Sequence, residues 1–440
     1  MPLAHKRLAL AITLAMGTIG AQCAHAHSNL DSAPGWLKQS LVEQQRPPID
    51  AGIVTPDLPK PRGSSFAAHA TSRNGLSVAR VLDSVGSAPS TPRRLNQWAS
   101  NPAYAERYPY GLAPGRLGAL LEQLAGSQNA NLGSATQNTL QQVNNGLLSA
   151  LRQVDNTTSE NSRVWFKGLG NTGTLDAQHG SAGVQQRSQG LLMGADWSLD
   201  HAWRIGVMGG KSTSDLNAKR FKGDLDSWHL GGYAVRQDGP LALRLGAIYS
   251  SHAGQNQRDV DFAFVDYREH LQGTYKAQSQ NAFAELGYQW DSGGLRAEPF
   301  ASLGYQRYQR DRFQEKGGDS ALNVGAQTQQ NLSSSLGLRV THDFTLDNQM
   351  VLTPHLSTRW KHLYGDVGSS VRQSFAWDQR DASRREFTVG GTSLDRDSLS
   401  LHTGLDLALS AQHSVGLAYT GEFGSNSRSQ GLTGQWTMTF

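Results

Sequence analysis

The chain has one cysteine, Cys23, in 440 residues. It lies in the N-terminal segment that the sequence marks for removal, so the mature chain is read as having no disulfide and no thiol nucleophile, even in an oxidising compartment. Long hydrophobic runs are also missing. The longest apolar stretch, Leu8 to Ala21, is too short to span a bilayer as a helix, and the mean hydropathy is −0.48. No charge of one sign dominates: 40 Lys and Arg stand against 36 Asp and Glu, interleaved along the chain. Without a basic stripe, nucleic acid is not an expected partner. The 14 histidines show neither an H-x-x-x-H pair nor a Cys/His cluster, so no zinc or other metal site is expected. The only lipase-like string, GGDS at Gly317 to Ser320, falls in an expected loop and lacks the strand–turn–helix setting of a nucleophile elbow.

Four stretches differ in what they do contain. Residues 1–26 have a basic start, a short apolar run and Ala24-His25-Ala26, the pattern of a secretory signal peptide. Residues 27–70 are polar and proline-rich ("RPPID", "TPDLPKPRG") and read as an extended, disordered segment with at most a short helix at Trp36 to Val42. Residues 71–160 turn helical. "GLSVARVLDSVG" and "RLGALLEQLAG" are short helices, and a longer one is predicted from about Asn131 to Val154. Its stripe is Leu132, Thr136, Leu140, Val143, Leu147, Leu151 and Val154, and its opposite face is rich in Gln, Asn and Ser. At ~1.5 Å per residue it would be about 35 Å long.

From residue 161 to 440 the period becomes 2. "LRLGAIYSS", "NAFAELGYQW", "LRAEPFASLGY", "SLSLHTGLDLAL" and the closing "GLTGQWTMTF" each put apolar residues on one face. The other face carries Arg244, Glu285, Glu298, Arg339, Arg359, Lys361, His402, Asp406 and Glu422. Alternation alone also suits a soluble sandwich. Three features favour a membrane barrel. The strands run about 10 to 14 residues, where a tilted membrane strand needs roughly 9 to 11. Short turns ("WDSGGL", "LSAQHS") alternate with long polar loops such as "LNAKRFKGDLD" and "GQNQRDVDFAFVDYREHLQG". Trp203, Tyr249, Trp290, Tyr305, Trp360 and Trp436 recur near strand ends as girdles. The count is about 12 strands, even as bacterial single-chain barrels require. The fold expected is an all-β, antiparallel outer-membrane barrel. A strand that runs to the last residue, Phe440, then closes against the first, "SRVWFKGLG", and leaves no edge.

Together, "SVARVLDSVG…LNQWAS…LGALLEQLAG", "AFAELGYQW…LRAEPFASLGYQRY" and "FTVGGTSLDRDSLSLHTGLDLALS…HSVGLAYTGEFG" resemble the translocator domain of an autotransporter (type V secretion). The resemblance covers roughly residues 71 to 440. It implies a 12-stranded barrel with an α-helix in its lumen, the role of Asn131 to Val154, and export or display of the N-terminal segment at the surface of a Gram-negative cell. It implies partners: outer-membrane lipid and lipopolysaccharide, periplasmic chaperones and a barrel-assembly machinery that reads Trp436 and Phe440. The protein would be a monomer and would need no nucleotide and no cofactor. With residues 27–70 as the only segment ahead of the junction, the exported part would be short. The alternatives are a channel-like or structural barrel with a vestigial exported segment, and a carrier of a surface enzyme or adhesin.

"LQQVNNGLLSALRQVDN" is similar to the linker of serine protease autotransporters that cut themselves between two asparagines inside the barrel. The resemblance makes Asn144 the attacking side chain, Asn145 the residue released, and Glu285 and Glu298 the lumen acids that position them. Arg244, inward by parity, would pair with either acid. The pair is expected about one helical turn before the barrel entrance. The competing reading is a polar helix surface beside carboxylates salt-bridged for stability.

Overall fold

The computed structural model describes residues 66–85, 114–153, 162–178, 180–262, 267–346, 350–378 and 385–440. The signal peptide, the short helix at Trp36 and the segment up to residue 65 lie outside them.

Twelve antiparallel strands form a closed barrel. They are β1 (Arg163–Leu175), β2 (Val184–Ser198), β3 (Trp203–Ala218), β4 (Phe221–Asp238), β5 (Leu241–Phe262), β6 (Tyr267–Tyr288), β7 (Leu295–Arg310), β8 (Gln327–His342), β9 (Val351–Gly365), β10 (Asp397–Ala408), β11 (His413–Gly424) and β12 (Ser427–Thr439). β12 pairs with β1 from Arg163↔Thr439 to Leu175↔Ser427. Beyond that register the backbones of Ser162 and Phe440 exchange two hydrogen bonds of 2.9 Å. The closing strand therefore has its partner, and the apolar side chains Leu432 and Trp436 face outward with those of the other strands. Leu191, Leu230, Leu286, Leu303, Leu336, Leu399 and Leu417 are all exposed on that surface. Trp228, Tyr249, Tyr305 and Tyr364 mark one level of it, and Trp197, Tyr288, Trp290 and Trp436 another.

Inside, large rings sit where a glycine on the next strand makes room. A Cβ on Gly194 would lie 2.4 Å from the Trp165 ring, one on Gly246 2.4 Å from Phe283, and one on Gly337 2.4 Å from Phe300.

The hairpins on one end are longer than a bilayer requires. β5 and β6 have 22 residues each. At ~3.3 Å per residue and a tilt near 45° they rise roughly 50 Å, about twice the ~25 Å apolar band. Two stretches expected as loops are mostly strand. In "LNAKRFKGDLD" pairing runs to Ala218↔Phe221, and only Lys219 and Arg220 turn, Arg220 in the left-handed region at φ 58. In "GQNQRDVDFAFVDYREHLQG" the ladder runs to Phe262↔Tyr267. Alternating polar and apolar residues there still fit a two-faced ladder, so polarity alone did not end the strands.

Among the described residues three α-helices precede the barrel: α1 (Arg73–Val85), α2 (Pro114–Ala125) and α3 (Gln128–Arg152). Gly126, at φ 55, makes the corner between α2 and α3, and a Cβ there would meet Leu322 at 2.7 Å. α1 and α2 lie over the long-loop end. Their Val78, Leu82, Leu120, Leu121 and Leu124 share one core with Leu175, Val184, Leu216, Phe221, Val260, Phe262 and Leu271 from the projecting strand ends. A small four-stranded sheet in the loops, with strands Phe313–Gln314, Leu322–Val324, Ser370–Phe375 and Phe387–Gly390, completes this core. The Asn74 side-chain amide of α1 bonds both the N–H and the C=O of Gly390, each at 2.8 Å. A 3-10 turn, Phe66–His69, is tied to α1 by Asp83, which accepts from the N–H groups of Phe66 and Ala67.

Candidate functional site

The site is the filled lumen. α3 runs through it with Gln128 at the long-loop end and Arg152 at the end where the short turns and Phe440 lie. Its stripe of Leu132, Leu140, Val143, Leu147 and Leu151 is buried, as the periodicity requires. The helix begins three residues before the expected Asn131 and ends at Arg152, two residues before the expected limit.

The helix does not float in a uniformly polar bore. On one side Val143, Leu147, Ala150 and Leu151 pack against Trp165, Leu192, Met208, Tyr233, Val235 and Ile248 of β1 to β5, a dry seat. Gly146 lets the backbone approach: a Cβ there would meet Leu192 at 3.1 Å and Leu169 at 3.2 Å. Burying one such aliphatic side chain contributes roughly 1.5–3 kcal/mol. On the other side, toward β7 to β12, lie polar cavities. One is lined by Asn145, Ser302, Ser335, Arg359 and Lys361, another by Gln142, Glu422 and Ser429. At the outer end the helix is bonded to the wall. Thr139 Oγ1 lies 3.1 Å from Ser214 Oγ, Asn131 Oδ1 accepts from the Thr392 N–H at 2.7 Å, and Gln142 donates to Ser429 at 3.0 Å.

The inner end is held by charge. Glu285 accepts from Arg152 Nε at 2.9 Å and from Arg244 Nη1 at 3.2 Å. Glu298 accepts from the same Arg244 Nη1 at 2.6 Å and from Arg339 Nη1 at 2.9 Å. Arg152 and Arg339 also stand over the Phe300 ring, at 4.9 and 5.3 Å from its centroid. A second cluster centres on Asp196. It accepts from Arg163 Nη2 at 2.7 Å, Arg204 Nε at 2.6 Å and the Tyr233 hydroxyl at 2.9 Å. Trp165 Nε1 donates to Tyr233 at 2.8 Å. Arg163 Nη1 and Lys167 Nζ donate to the Ala150 and Gly146 carbonyls, at 3.1 and 3.2 Å. Arg163 thus meets the carbonyl-rich last turn of the helix, where the macrodipole favours a cation.

The structure brings Arg244, Glu285 and Glu298 together, and their inward direction is the one parity predicts. It does not bring the two carboxylates to the asparagines. Their partners are Arg152, Arg244 and Arg339, whereas Asn145 Oδ1 accepts from Gln141 at 3.2 Å and from Arg359 at 3.3 Å. Asn144 and Asn145 also sit deeper than expected. Seven residues separate Asn145 from Arg152, about 10 Å at ~1.5 Å per residue, and the bond between them lies within an unbroken helix. The sequence reading missed Arg152, Arg163 and Asp196. A charged residue in the helix's last turn, and two more on the inward parity of β1 and β2, were the available signals.

A closed barrel with an apolar outside, a polar inside and its own N-terminal helix in the bore defines an outer-membrane translocator. Among the described residues no helix is long and apolar enough to cross a membrane. Comparison gives the family. The Autotransporter beta-domain matches residues 164–420, and the chain belongs to the autotransporters. It is 29% identical over 326 residues to an extracellular serine protease of Serratia marcescens, covering 72% of this chain and 30% of that protein. It is 28% identical over 236 residues to the probable autotransporter YfaL of Escherichia coli strain K12, covering 46% and 18%. The chain thus spans less than a third of the length of these relatives. In fold it is similar to the translocator domain of the autotransporter NalP from Neisseria meningitidis, with a TM-score of 0.56 at 14% identity over 72% of this chain and all of that one. The protein is an outer-membrane translocator of a Gram-negative bacterium.

Proposed function

We propose that the barrel carries outward the chain that precedes α3 and keeps it at the outer mouth, uncut, as a folded cap. One observation supports this above the others. α3 points its N-terminus at the long-loop end, so whatever precedes Gln128 is delivered there, and α1 and α2 find an apolar core on that side. Retention follows from the same geometry. The Asn144–Asn145 bond sits in regular helix, and the carboxylates that would assist its cleavage are engaged by arginines 152, 244 and 339.

Two measurements test the reading. Arg80 is exposed on α1, so Arg80→Cys in whole cells should react with a membrane-impermeant maleimide. Protection until the outer membrane is broken would place α1 on the periplasmic side and end the proposal. The mass of the outer-membrane form, with Asn144→Ala in parallel, tests retention. Both should begin upstream of residue 144. A wild-type fragment that starts at Asn145 and is absent from the variant would make the lumen a self-cleaving site instead.

A further inference from the structure

We infer that the lumen holds a binding site for a small inorganic anion between α3 and β9, centred on Arg359. The cavity there is about 50 Å³. One water needs roughly 10–15 Å³, so the space accepts a single anion with a few waters. Its lining includes two cations, Arg359 and Lys361, the hydroxyls of Ser302, Ser333 and Ser335, and the amide of Asn145. Among the described residues that line it there is no aspartate or glutamate.

The two cations are not equivalent. Lys361 is neutralised by Glu422, which also accepts from Ser398 at 2.9 Å. Arg359 enters no ion pair among the described residues. Its Nη2 donates to neutral oxygens only, Asn145 Oδ1 and Ser400 Oγ, both at 3.3 Å. Its Nε is buried with no partner among the described residues, and so is Asn145 Nδ2. Two donors without a partner among the described residues, one of them on a charged side chain, thus belong to residues lining a cavity that has no carboxylate of its own, and Glu422, the acid whose charge reaches Arg359 most strongly, is already bonded to Lys361. Leaving such groups unmet is costly. An anion meets both, and a water in its shell supplies a donor to the unpartnered Asn144 Oδ1. Ion pairs elsewhere in the barrel show what full compensation looks like: Arg258 has Glu315 at 2.5 Å, and Arg163 has Asp196 at 2.7 Å. Because Asn145 belongs to α3 and Arg359 to the wall, the anion fastens the helix on its wet side. The dry seat fastens the other side. This site stands whether or not the chain is cut at Asn144.

The test uses the full chain in detergent at constant ionic strength, with sodium chloride or bromide replacing sodium gluconate and a phosphate series in parallel. The readout is urea unfolding of the barrel, followed by the mobility difference between folded and unfolded forms on unheated gels. A ligand at about ten times its Kd shifts the folding equilibrium about tenfold. A shift of that order with halide or with phosphate is expected for wild type, and its absence in Arg359→Gln. The two series tell which anion is the occupant. No response to either anion in wild type, or an equal response in the variant, overturns the site. Should the variant fail to assemble, wild-type crystals soaked in bromide decide: an anomalous peak beside Arg359 supports the site, and an empty cavity refutes it.

Discussion

Replacing Asp196 by alanine should be among the most damaging single changes in the lumen. Asp196 is 1% exposed and is shared by two guanidiniums and a phenol. Its loss takes from Arg163 and Arg204 the carboxylate they share, leaves the Tyr233 O–H without its acceptor, and removes what aims Arg163 at the Ala150 carbonyl. Removing one member of a buried ion pair costs about 3–5 kcal/mol. The arginine side chains are 6% and 10% exposed, so little water reaches them. The expected loss is therefore about 3 kcal/mol or more, a factor of at least ~100 in the folding equilibrium. Urea titration of the refolded barrel, read by gel mobility and tryptophan fluorescence, measures it. The reasoning carries an internal control, because replacing a whole buried ion cluster by apolar groups is often close to neutral. Asp196→Ala with Arg163→Met and Arg204→Met should recover most of the loss. A single variant that loses under about 1 kcal/mol, or a triple variant no better than the single, would refute the account.

Two further outcomes are expected. Gly194→Val should cost about 1–3 kcal/mol by overpacking against Trp165, whereas Gly434→Ala, with nothing within 4 Å, should be within about 0.5 kcal/mol of wild type; equal effects by the same titration would discard the ring-and-glycine explanation. In the mouth cap, burial raises the Glu122 carboxyl above its usual range, against the opposing pull of Ser72 and Gly75. A carboxyl raised in the folded state stabilises fully below its unfolded value near 4.5 and loses that contribution as pH rises through the folded one. Cap amides of α1 and α2 should therefore exchange more slowly at pH 4 than at pH 7 after correction for intrinsic rates, and Glu122→Gln should flatten the difference.

Much of the barrel was legible because its solvent changes with a period of 2. Lipid outside and a polar bore inside give Leu286 and Glu285, or Trp360 and Arg359, opposite directions with no tertiary information. The same rule hid two features. On β5 the apolar residues Leu241, Leu243 and Leu245 face out, but Val260 and Phe262 at the outer end face in. The phase of the alternation reverses where the strand leaves the membrane and meets the cap, and a pattern read as one strand face conceals that. The dry seat was hidden similarly. Trp165, Leu192 and Met208 are inward apolar residues among polar ones, and only α3 explains them. For the candidate site, parity supplied the directions of Arg244, Glu285 and Glu298. It supplied no partners, because which cation reaches which carboxylate depends on shear and on the depth of the helix. Arg152 thereby became the decisive neighbour of Glu285.

The Asn74 amide on Gly390 bears on life at a crowded surface. A strand edge with free N–H and C=O groups is a template for any passing chain. The barrel removes its edges by closing, but the small sheet at the mouth cannot close. One of its outer strands, Phe387–Gly390, has a side-chain amide in the place of a neighbour's backbone. At its opposite end the sheet runs on toward β6, where Lys316 and Gln272 share a bridge. Copies diffusing in the plane of one membrane meet far more often than molecules in dilute solution. By occupying that edge with its own asparagine, the chain withholds a place where one copy's mouth could add a strand to the next.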